Sequence, residues 1–325
     1  MNQPETHDFT PSDRPLYYYK LFGLAVRSEM EFPEFTVLME EDFLTTTFPK
    51  VDVVLTDVPE ALPDSIKVAS WIEATKSNCL FHLAENCRLL VDSGKRLAIH
   101  ISSSDQLQTI RPFLVSCGFA TLALQNQYVP LHVSSVQSPS GIWLFAGKSG
   151  AGKSTLAAAL SQKLGWPLLG DDIGVYTTRG SSSSTIVHNL HFGVNKIKLW
   201  DDAVETLSID KNSLQQDFFR PNKFHLPIQV NRRPEEINKI SAIFQLAWVD
   251  DQSSMSVKPI SGSANFELLM NSVFPPPLVP IYRDLHYLRR ELLGFASQLA
   301  GFKLSRTKAP HSLSDVISEL LNLKL

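Results

Sequence analysis

Three cysteines, Cys79, Cys87 and Cys117, are all that 325 residues contain, and no two have C-x-x-C spacing. An odd, scattered set argues against a disulfide framework and against a thiolate zinc site, and fits thiols in a reducing compartment. A surplus of one charge is also missing. With 30 Lys and Arg against 33 Asp and Glu the net charge is -3, so no global field draws the chain to nucleic acid or to an anionic membrane. No apolar run approaches the length that spans a bilayer. The opening MNQPETHDFTPSDRPL is polar and acidic, not basic and then apolar as in a signal peptide. A cytoplasmic protein with a disordered tail over residues 1–15 is expected, acting on neither nucleic acid nor membrane.

What is present is an ordinary globular composition, 43% hydrophobic and 19% charged, in a chain long enough for two domains. Tyr17 to Met30, YYYKLFGLAVRSEM, is rich in aromatic and β-branched residues and reads as an extended strand. VDVVLTDV (Val51 to Val58) reads as another, and Asp92-Ser93-Gly94-Lys95 carries turn chemistry between two more. A small, mostly β domain over 16–105 follows. Gln106 to Gln127 has apolar residues at helical spacing and reads as a helix joining the domains. Beyond it, VPLHVSSV, the turn QSPSG and IWLFAG read as a hairpin that leads into a glycine loop. Arg179 to Ser184, RGSSSS, reads as a loop tip. KISAIFQLAWV and SMSVKPI read as strands and NFELLMNSVF as a helix stopped by Pro275 to Pro277. RDLHYLRRELLGFASQLA and SLSDVISELLNLKL read as two amphipathic helices. The whole of 106–325 is expected to be one α/β domain.

The chemistry is concentrated between Phe145 and Tyr176. Gly147-Lys148-Ser149-Gly150-Ala151-Gly152-Lys153-Ser154 fits G-x-x-x-x-G-K-[ST], after an apolar strand and before the helix STLAAALSQKLG. Glycines permit the backbone to approach phosphate oxygens closely. Lys153 supplies a mobile positive charge for the β and γ phosphates, Ser154 a hydroxyl for the accompanying magnesium, and the helix its positive end. The candidate nucleotide-binding residues are Gly147, Ser149, Gly150, Ala151, Gly152, Lys153, Ser154 and Thr155. Eighteen residues after Lys153, LLGDD ends a short apolar run with Asp171 and Asp172. Side chains alternate along a strand, so one carboxylate can face a metal and the other a substrate hydroxyl. No LSGGQ, no NKxD and no glutamate after the aspartates is found, which weakens transporter, GTPase and motor readings.

With those residues in view, Val129 to Tyr176 resembles the catalytic domain of bacterial HPr kinase/phosphorylase and its relatives. There a histidine-bearing strand, here His132 in PLHVSSV, precedes a G-x-S-G-x-G-K-S loop, and an Asp-Asp pair follows. YKLFGLAVRSEMEFPEF is similar to the N-terminal region of the broader HPr kinase-like proteins, including kinases encoded with lasso peptides. The resemblance implies a P-loop, HPr-kinase-like α/β domain after a small β domain, acting as an ATP- and magnesium-dependent serine kinase. It implies that Lys153 binds phosphates and that Ser154 and Asp172 hold magnesium. Asp171 would then take the proton from the acceptor hydroxyl, and His132 would lie near the phosphates. The residues themselves leave the two aspartates interchangeable.

Four departures turn the expected acceptor away from HPr itself and toward another peptide or protein serine. Val133 and Thr155 replace a glycine and a glutamate. Asn195 and Lys196 stand where a metal-binding glutamate belongs, and the later loop that engages HPr is missing. Relatives of this family often assemble, so a homo-oligomer is also an expectation. FFRPNKFHLPI (Phe218 to Ile228) adds Arg220, Lys223 and His225 as a basic segment able to reach the phosphates. Two further readings are a small-molecule hydroxyl kinase and a nucleotide-sensing module without catalysis.

Overall fold

Tyr17 to Met30 is not one strand but a hairpin, Tyr17–Leu21 against Leu24–Ser28. Phe22 and Gly23 both take positive φ, 54° and 76°, the turn whose twist matches the two strands. The computed structural model describes residues 14–323 apart from 85, 104–105, 181–185, 218–219, 229–238, 251–253 and 308–312. Most of the expected disordered tail, residues 1–13, therefore lies outside the described residues, as do 181–184 of the loop tip. Arg179 and Gly180 belong to the strand Gly174–Gly180.

The N-terminal hairpin is part of a nine-stranded mixed sheet. Lys50–Leu55 runs parallel to Leu24–Ser28 and to Arg96–His100, and the Asp92 to Lys95 turn joins Cys87–Asp92 to Arg96–His100 as a hairpin. The long helix that follows is continuous but not uniform. Gln106–Phe113 passes through a wider π turn, Leu114–Gly118, into Phe119–Gln125. Pro112 lacks the N–H that would extend the α ladder there, and Ser116 Oγ donates to the Pro112 carbonyl at 2.7 Å.

The second large sheet has six strands in the order Leu168–Gly170, Ser134–Ser138, Gly141–Ala146, Ile240–Trp248, Ala300–Arg306, Ser256–Ile260. The expected hairpin is present as Ser134–Ser138 against Gly141–Ala146, and the latter pairs in parallel with Ile240–Trp248. Side-chain alternation sorts this sheet into two cores. Ile142, Leu144 and Ile243 join the apolar cluster of the N-terminal sheet and the long helix. Trp143, Phe145, Ala242 and Phe244 pack on the other face with Leu156, Leu160, Val316 and Leu320 of the flanking helices. Both faces are buried, which explains why IWLFA is uninterruptedly apolar. The first cluster is continuous across the expected boundary at 105/106.

A second expectation needs correcting. The segment read as a helix from Arg283 to Ala300 is helical only over Leu285–Ala296, and Ala300–Arg306 is a strand parallel to Ile240–Trp248. The architecture is a mixed α/β one with several sheets. Among the described residues no helix is long and apolar enough to cross a membrane.

Candidate functional site

The glycine loop leaves the carboxyl end of Gly141–Ala146 and enters the helix Lys153–Leu164, the edge of an α/β sheet at which ligands gather. Gly147, Gly150 and Gly152 have φ of 146°, 79° and 78°. At Gly152 a side chain is doubly excluded, since a Cβ would also strike the Arg306 guanidinium. Three contacts brace the loop from below. Lys153 Nζ donates to the Gly147 carbonyl at 3.0 Å. Trp248 Nε1 donates to Gly150 O and Arg306 Nη2 to Ala151 O, each at 2.8 Å. The helix then ends at Gly165, φ 68°, whose N–H donates to Ser161 O at 2.9 Å, a left-handed cap.

Above the loop lies a cleft of about 1170 Å³. Gly147, Ser149, Gly150, Gly152, Lys153, Ser154, Thr155, His132 and Asp172 line it. Of the candidate nucleotide-binding, catalytic and metal-binding residues, Ala151 and Asp171 do not. The Ala151 methyl turns inward to the core, leaving its carbonyl to Arg306. Asp171 is 5% exposed and lines a second cavity behind the first.

The two aspartates occupy different environments. Asp171 Oδ1 accepts from Ser134 Oγ at 2.5 Å and from Ser154 Oγ at 2.8 Å, while Oδ2 accepts the Lys198 N–H at 3.1 Å. Burial, then the charge of Asp172, pushes its carboxyl above the usual range, against those three hydrogen bonds. Asp172 is a non-glycine residue at φ 63°, a conformation that aspartate tolerates better than most. This left-handed turn, and not strand alternation, sends its carboxylate into the cleft, 3.5 Å from Lys198 Nζ. Burial by itself would raise that carboxyl, but Lys198, His132, Lys223 and Lys153 outweigh it and hold it below its ordinary value. Ser154 is thus paired with Asp171, whereas the resemblance implied a pairing with Asp172.

Cations dominate the remaining wall. Burial lowers the pKa of His132, and the Lys153 charge lowers it further, so the imidazole is neutral near pH 7. Arg220 and Lys223 line the cleft, with Lys223 Nζ 4.6 Å from the Trp200 ring centre; His225 faces the second cavity and meets Asp217 at 2.9 Å. Phe218 and Phe219 of that basic segment lie outside the described residues. Sequence reasoning missed three others. Lys198 sits with Lys196 and Trp200 on one face of Lys196–Trp200, while Ile197 and Leu199 are buried; the alternation in KIKLW was the available signal. Trp248 ends Ile240–Trp248, and Arg306 ends the unrecognised strand. Arg306 is 6% exposed, burial lowers its pKa to about 10, its Nε has no hydrogen-bond partner among the described residues, and it stacks on Trp248 at 4.3 Å.

Neither a protein-family model nor a curated protein matches the sequence. Among solved structures, the Hpr(Ser) kinase/phosphatase from Coxiella burnetii is similar over 59% of this chain and 88% of that one, with 10% identity and a TM-score of 0.29. A likeness at that level fixes neither activity nor residue roles, and the functional reading rests on the residues of this chain.

Proposed function

We propose that this protein is an ATP-dependent phosphotransferase that delivers the γ-phosphoryl group to a serine-type hydroxyl on an acceptor other than HPr. The observation that carries the reading is the division of labour between adjacent carboxylates beside a G-x-x-x-x-G-K-S loop. Asp171 has its oxygens occupied by two hydroxyls and an amide, while Asp172 faces the cleft among cations. The roles suggested by the resemblance are therefore exchanged here. Asp172, kept ionised by Lys198 and its neighbours, is the base; Asp171 acts with Ser154.

The loop and Lys153 hold the nucleotide phosphates, with Arg306 and Trp248 fixing the loop from behind. An acceptor hydroxyl beside Asp172 gives its proton to that carboxylate as its oxygen bonds to the γ-phosphorus. The bond from that phosphorus to the β–γ bridging oxygen breaks, and ADP leaves. Lys153 and Lys198 offset the negative charge gathered between donor and acceptor. Ser154 and Asp171 offer two hard oxygens 2.8 Å apart, a donor set that suits magnesium arriving with its phosphate ligands. Among the described residues no three His, Cys, Asp or Glu side chains gather into a metal site of their own. Bound there, magnesium would neutralise phosphate charge.

The test is transfer from γ-labelled ATP to a panel of serine-containing peptides and small alcohols. Phosphorylation that Asp172→Asn abolishes while ATP affinity persists is expected. Nucleotide binding without transfer to any acceptor would sink the kinase reading in favour of a sensor. A small-molecule acceptor is the second reading, favoured by the cavity of about 520 Å³ behind the aspartates.

A further inference from the structure

The cleft over the loop and the second cavity, of about 520 Å³, share Asp172, Ile173 and Lys198 as a common wall. The second cavity is built from three regions. Phe22, Pro33 and Glu34 come from the N-terminal sheet region, Arg111 and Ser116 from the long helix, and Lys196 and His225 from a small sheet beyond the aspartates. It is thus the place where the N-terminal region reaches the candidate reaction centre. Its volume is that of small-molecule pockets and too small for the surface of a folded partner.

Charge pairing inside it is complete except at one group. Arg111 meets Glu34 at 3.4 Å, His225 meets Asp217 at 2.9 Å, and Lys198 meets Asp172 at 3.5 Å. Asp171 is taken up by hydroxyls and an amide. The ammonium of Lys196 alone among these cations makes no hydrogen bond or ion pair to the described residues, although Glu34 attracts it across the cavity. Burial depresses its pKa, and an ammonium left unpaired in such a place carries a desolvation cost that an incoming anion would relieve. Lys196 and Lys198 lie two residues apart on one strand face, roughly 6 to 7 Å along the chain. The anion site and the carboxylate that Lys198 touches are therefore separated by the length of a compact molecule.

Building on the kinase reading, we propose that the second cavity is the acceptor site and that Lys196 selects an alcohol carrying an anionic group a few bonds from its hydroxyl. The anion, a carboxylate or a phosphate, pairs with Lys196 while the hydroxyl reaches Asp172. A free metabolite and the carboxyl end of a peptide present the same chemistry.

Two measurements test this. In the wild-type protein, acetylation of Lys196 by acetic anhydride, read by peptide mass spectrometry, should slow at least fivefold with glycerate or glycerol 3-phosphate and not with glycerol. Lys76 serves as the unprotected control. Equal or absent protection by all three overturns the site. In the transfer assay, glycerate is compared with glyceramide, glycerol 3-phosphate with glycerol, and a serine-terminated peptide with its C-terminal amide. The charged member of a pair should have the lower KM, by tenfold or more, and the pair that responds identifies the source of the anion. Lys196→Met should bring that ratio close to one; a ratio that survives the substitution overturns the assignment. Protection of Lys196 without transfer to any acceptor leaves the anion site standing and overturns the kinase reading.

Discussion

The nine-stranded N-terminal sheet and the six-stranded sheet behind the glycine loop handle polar groups in opposite ways. Among the described residues of the first, Ser28 is the single buried polar side chain, and it is satisfied locally by Met30. Around the second, Ser134, Ser135, Lys153, Asp171, Asp217 and Arg306 are all buried. Burying such groups is unfavourable unless each finds a partner. Asp171 finds three, and the Arg306 Nε finds none among the described residues. One sheet is built for stability and the other tolerates a cost at its strand ends, where the candidate chemistry lies.

The sharpest way to separate the two regions is to remove the carboxylate that lines the cleft. Asp172→Asn should lower kcat by about 10²- to 10⁴-fold, the range for a lost general base, with ATP affinity measured by calorimetry little changed. The converse experiment belongs to the N-terminal sheet. Phe81, 1% exposed and 5.7 Å from the Trp71 ring, should cost about 3–5 kcal/mol in urea denaturation when replaced by Ala. Under native conditions that variant should still bind nucleotide.

A smaller effect with mixed sign is expected at Arg306. Arg306→Met removes the hydrogen bond that braces the Ala151 carbonyl and should weaken ATP binding about tenfold, the worth of one charge-assisted bond. Because the guanidinium is buried with no carboxylate of the described residues paired to it, the melting temperature should stay level or rise. A fall in melting temperature together with unchanged ATP affinity would show that Arg306 is a packing residue and would blur the contrast between the sheets.

The mildest effect is one of pH. His188 Nδ1 lies 2.7 Å from the Tyr176 hydroxyl, its ring stacks on Tyr176 and Phe295, and Nε2 is buried without a partner among the described residues. Burial lowers its pKa, so the folded chain binds fewer protons there than the unfolded chain does. Stability should therefore fall as pH drops through the ordinary histidine value of about 6.5. His188→Phe should reduce that slope, by less than one proton, measured from urea midpoints between about pH 7.5 and 5.

Much of this was legible because it depends on neighbours in the chain. Asp92 to Lys95 turn where Ser93 and Gly94 take positive φ, and the helix after the loop stops at Gly165 for the same local reason. The hairpin Tyr17 to Ser28 was missed because Phe22-Gly23 is a weak signal inside an aromatic run. Ala300–Arg306 was missed because Leu292 to Leu304 keeps enough helical spacing to hide a strand. That strand gains its identity from its pairing with Ile240–Trp248, a contact across more than fifty residues that no local window contains.

By itself the sequence determined the loop from Gly147 to Ser154, the helix that follows it and the presence of two carboxylates close behind. These depend on residue type at short spacing, where backbone conformation and periodicity suffice. Only the tertiary structure decided which carboxylate faces the cleft, because the left-handed turn at Asp172 and the hydrogen bonds of Asp171 come from Ser134, Ser154 and Lys198 on three separate elements. The same holds for Arg306 under the loop and Lys196 behind the aspartates. Whether a charged group is buried, paired or left open is a property of what folds around it.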